Sequence, residues 1–76
     1  EAAEQAFRSA AERHPGSAVA LNNLASVLQS RGKSDEALRA ADRAVEAAAG
    51  SQWQGAAQAT RDEIRAAMQA PAPSSP

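Results

Sequence analysis

The 76-residue sequence has no cysteine and no tyrosine, and only one each of histidine, phenylalanine, tryptophan and methionine. Without cysteine, disulfides, thiolate metal sites and a cysteine nucleophile are excluded within these residues. The lone His14 stands beside Pro15-Gly16 with no second ligand at metal spacing. It reads as a helix-end side chain near the last carbonyls, not as a base or ligand. No nucleophile-and-base arrangement occurs, so no enzyme activity and no cofactor are expected from this chain. Eight basic and nine acidic residues give a net charge of −1, without any basic run. Nothing here could follow a phosphate backbone, which argues against nucleic acid as a partner. Purely apolar stretches are a few residues long, far short of the roughly 20 that span a bilayer, so no membrane insertion is expected.

What the sequence does have is alanine, which supplies 22 of its 33 hydrophobic residues. Alanine is the best helix former and lets helices approach closely. The pattern predicts four helices.

The first runs over about 1–13, with Ala3, Phe7 and Ala10 on one face. Its exposed side carries Glu4–Arg8 and Arg8–Glu12 pairs at i, i+4 spacing. His14-Pro15-Gly16 ends it, because proline disfavours helical geometry in the preceding residue. Ser17 is a candidate N-cap for a helix over 18–30, whose Leu21, Leu24, Ala25 and Leu28 form an apolar stripe. Gly32 is placed to supply a left-handed C-cap. Ser34 is expected to cap a third helix reaching about Ala49, with Asp35 and Glu36 in its favourable first turn. Ala37, Leu38, Ala41, Ala44 and Val45 should be buried on it. Gly50-Ser51 makes the next break, and Ser51 with Gln54 fits a capping box. The fourth helix, about 52–69, has Trp53, Ala57, Thr60, Ile64 and Met68 on its apolar side. Trp53 is expected to be buried beside Leu38 and Val45. Residues 70–76, Ala-Pro-Ala-Pro-Ser-Ser-Pro, predict an extended, disordered tail.

The chain also repeats itself. A shift of 34 positions lays Ala3, Ala6, Ala10 and Glu12 over Ala37, Ala40, Ala44 and Glu46. That period, with Leu21, Leu24, Ala25, Leu28, Gly32, Ala37 and Ala44 at their spacings, resembles the tetratricopeptide repeat, a 34-residue helix–turn–helix unit. Phe7 falls where that family usually has an aromatic, and Pro15 where it places a closing proline. The resemblance covers about two thirds of the chain and fades after Gly50. It implies an all-α fold, a right-handed superhelix of antiparallel hairpins forming one helical domain over 1–69. Within it, 1–14 would be the second helix of a partial repeat, 18–51 a full repeat and 52–69 a terminal capping helix. The chain starts without Met inside a helical pattern and is expected to be a segment of a longer protein. Alanine richness and the Pro/Ser tail suggest a bacterial origin.

In such families the first helix of each repeat lines the concave surface. The resemblance therefore places Asn22, Asn23, Ser26, Gln29 and Ser30 in a groove that would bind a partner peptide or helix. Two adjacent asparagines within a helix need a reason, since asparagine is a mediocre helix former. Its amide both donates and accepts, which suits gripping an extended backbone. The competing explanation is that Asn-Asn-Leu-Ala simply recurs in these repeats and bonds within the helix layer. Asn23 also matches a residue of carboxylate-clamping members, but the basic residues of that clamp are missing here. The expected function is a protein-interaction scaffold. The alternatives are a capping or self-associating segment of a longer solenoid, or a non-catalytic appendage near the C-terminus of a bacterial enzyme. The sequence singles out no compartment, cytoplasmic or periplasmic.

Overall fold

The computed structural model describes residues 2–69; Glu1 and the expected tail at 70–76 lie outside the described residues. The described chain forms four helices, α1 (Ala2–Arg13), α2 (Ala18–Ser30), α3 (Ser34–Ala48) and α4 (Gln54–Gln69), and no strand. Helix α2 is the centre: α1 packs on one side, α3 on another, and the start of α4 touches it as well. Its apolar stripe explains that position, because Leu21, Leu24, Ala25 and Leu28 are all buried. Helix α4 packs mainly on α3.

The connections follow from local chemistry. Ser17 is the N-cap of α2, its Oγ accepting from the Ala20 N–H at 3.2 Å. At the other end, Lys33 N–H donates to the Leu28 carbonyl at 2.9 Å and Gly32 N–H to Gln29 at 3.0 Å. These are the two bonds of a Schellman motif, with Gly32 at φ +79° in the left-handed position. Three residues thus reverse the chain, and α2 and α3 form an antiparallel hairpin. The face of α3 in this hairpin is nearly pure alanine. Ala37, Ala41, Ala44 and Ala48 are fully buried and Ala40 almost so, while Leu38 and Val45 are half-buried at the margin.

Several local expectations need correction. Ser34 is not a cap but the first residue of α3; Lys33 holds the N-cap position and makes no side-chain cap bond. Ser51 and Gln54 do not close a capping box. Ser51 Oγ accepts from Trp53 N–H, and Gln54 Oε1 accepts from Gly50 N–H, one residue before the position a box requires. Residues 51–53 are therefore a turn, and α4 begins at Gln54. That takes Trp53 out of helical phase with Ala57 and Ile64, and its side chain is 46% exposed rather than buried. Met68 is exposed too, leaving Ala57 and Ile64 as the buried residues of α4. On α1 the inward residues are Glu4 and Ala11, with Phe7 half-buried and Ala3 exposed.

Candidate functional site

The first turns of α2 and α4 lie side by side and leave a concavity between them. It is lined by Ala18, Val19, Asn22, Asn23, Trp53, Ala56 and Ala57. Val19 and Trp53 are its exposed large apolar residues. Asn22 is half-buried, and its Oδ1 is buried without a hydrogen-bond partner. Such an acceptor is costly to leave unmatched, at about 1–3 kcal/mol. Asn23 is exposed at the rim. The volume is about 130 Å³, below the roughly 300–1,000 Å³ of small-molecule sites. It has room for one side chain of a larger partner.

Of the five residues expected at the site, the concavity brings together Asn22 and Asn23 only. Ser26 and Gln29 do not line it, and Ser30 turns its hydroxyl back onto the Val27 carbonyl at 2.8 Å. Val19 and Trp53 were not anticipated as lining residues. The signal was present: 34 positions separate Val19 from Trp53, Asn22 from Ala56 and Asn23 from Ala57. Positions 34 apart thus face each other across the concavity.

On the other side of α2, a trough between α1 and α3 is floored by Leu24 and Leu28 and edged by Arg8, Arg39 and Arg43 together with Glu12 and Glu36. A cluster of ion pairs closes one end. Glu4 is only 7% exposed, and its carboxylate meets Arg8 at 2.7 Å, Arg31 at 2.8 Å and Lys33 at 2.9 Å. Arg8 also reaches Glu36 at 3.2 Å. Hydrogen bonds from Arg8 and then Lys33 hold the Glu4 pKa down at about 2, from an ordinary 4.5. Hydrogen bonds to Glu4 first and Glu36 second raise the Arg8 pKa. The Glu4–Arg8 pair expected on an exposed face is thus an inward-facing tie between α1 and the α2–α3 turn.

Among the described residues, no group of three or more His, Asp or Glu could hold a metal ion, and no helix is long and apolar enough to cross a membrane. Helix hairpins whose equivalent positions recur every 34 residues define a helical-repeat protein. A family model for the tetratricopeptide repeat matches residues 1–60, and the chain belongs to that family. Its repeats generally mediate protein–protein interaction, and the family is typically non-catalytic. No curated protein and no solved structure matches the chain.

Proposed function

We propose that the chain is a protein-interaction module that takes an extended peptide of a partner into the groove between α2 and α4. Asn22 and Asn23 grip the peptide backbone, one partner side chain fills the space between Val19 and Trp53, and Ser26, Gln29 and Ser30 continue the polar strip along α2. The observation that carries this reading is the buried, unpartnered Oδ1 of Asn22 beside exposed Val19 and Trp53. A peptide N–H satisfies that acceptor, and a side chain of the partner covers the apolar rim. A randomised peptide array probed with the full chain tests it. Binding should be lost in the double variant Asn22→Ala, Asn23→Ala, and equal binding by both proteins refutes the groove.

The alternative, a capping or self-associating segment, is favoured by one observation. Ala3 and Ala6 are exposed on α1, whereas their equivalents on α3, Ala37 and Ala40, are buried against neighbours.

A further inference from the structure

Three features of the α2–α4 groove narrow what it accepts. Its lining has no charged side chain, so a charged peptide finds no counter-ion there, unlike in the arginine-edged trough on the other side of α2. Trp53 presents an aromatic ring, 46% exposed, beside Val19. Asn22 and Asn23 add amide groups that can pair with a peptide backbone. Together these suit a neutral, proline-containing segment. Its rings pack on an aromatic face, its backbone lacks internal hydrogen bonds and so takes side-chain partners, and its polyproline geometry is preformed, which keeps the ordering cost low.

The chain carries such a segment itself, uncharged, at residues 70–76. The positions of its prolines decide whose copy can enter. From Trp53 to Gln69, α4 extends about 24 Å at 1.5 Å per residue. Pro71 and Pro73 lie two and four residues past Gln69, a reach of at most about 6 and 12 Å at 3.1 Å per residue. The chain's own Pro71 and Pro73 therefore fall short of Trp53. A second molecule has no such restriction. Building on the peptide-groove reading above, we infer that the groove between α2 and α4 binds the Ala-Pro-Ala-Pro-Ser-Ser-Pro segment of a second copy of this chain, with proline against Trp53 and a backbone N–H of the segment donating to Asn22 Oδ1.

Trp53 is the sole tryptophan and reports on its own site. The experiment uses the full chain carrying Pro71→Ala, Pro73→Ala and Pro76→Ala, titrated with the free heptapeptide. A saturable change in Trp53 emission, with shifted Asn22 and Asn23 amide resonances, is the expected result. A proline-free control peptide should bind at least about tenfold more weakly. In sedimentation, the unaltered chain should associate as concentration rises, and both the triple-proline variant and Trp53→Ala should stay monomeric. Unmoved Trp53 and asparagine signals overturn the inference. Equal binding of both peptides also overturns it while leaving a general peptide groove standing. Association that persists in both variants lies elsewhere on the surface and removes the second copy as occupant.

Discussion

Helix α4 buries one large side chain, Ile64, and that is the residue to remove. It is fully buried, the only large side chain of α4 in the core, whereas Ala57 contributes a single methyl. Truncation of a fully buried isoleucine to alanine costs about 2–5 kcal/mol, the transfer term plus the cavity left behind. Taking about 3 kcal/mol, and about 4–8 °C of Tm per kcal/mol for a domain of this size, Ile64→Ala should lower the melting temperature by about 12–24 °C. Ile64→Val keeps most of the volume and should cost only about 0.5–1.5 kcal/mol. Met68, one turn further on and 41% exposed, is the internal control, and Met68→Ala should fall within about 0.5 kcal/mol of the parent. Thermal unfolding followed by circular dichroism on the three variants gives the comparison. If Ile64→Ala costs no more than Met68→Ala, α4 is not docked through Ile64 and the α3–α4 packing described above is wrong.

Ala37 is fully buried on the alanine face of α3. Ala37→Leu should overpack the α2–α3 hairpin by about 1–3 kcal/mol, measured by urea unfolding; an unchanged midpoint would refute the close approach. Acid should act through Glu4. A carboxylate whose pKa falls on folding, here from 4.5 to about 2, binds fewer protons folded than unfolded across that interval. Its stabilisation is therefore complete above pH 4.5 and is lost as pH falls towards 2. Unfolding curves across that range should show Glu4→Gln with a shallower pH dependence than the parent, and parallel curves would refute it.

Helical spacing and backbone geometry were legible in the sequence, whereas the caps of α3 and α4 and the pairings across hairpins were less so. The α2 stripe, the small residues at 25 and 37 and the role of Gly32 follow from spacing and backbone geometry, which act locally. The caps at Ser34 and Ser51 failed because a serine before a helix fixes the start only to within a residue or two. Lys33 is drawn to Glu4, and the turn at 51–53 takes its own hydrogen bonds. Trp53 went astray for that same reason, since a shift of helix start rotates a side chain from inward to outward. Glu4 was read from its i+4 neighbour, but its other partners lie 27 and 29 residues away, a pairing that only the folded hairpins create. Of the residues lining the concavity, Asn22 and Asn23 stand out in the sequence by residue type, whereas Val19 and Trp53 need the 34-residue frame applied to exposed positions as well as to the core.

The ion-pair cluster at Glu4 has one consequence for how the molecule opens. Helix α1 packs on α2 alone, and its remaining hold is electrostatic, through Arg31, Lys33 and Glu36. Lys33 is also the N-cap residue of a helix that has no side-chain cap of its own. Detachment of α1 would free the lysine that flanks the start of α3, so fraying at these two places should be coupled. Amide hydrogens of α1 and of the first α3 turn should therefore exchange together and faster than those in the middle of α2, which a hydrogen-exchange measurement checks.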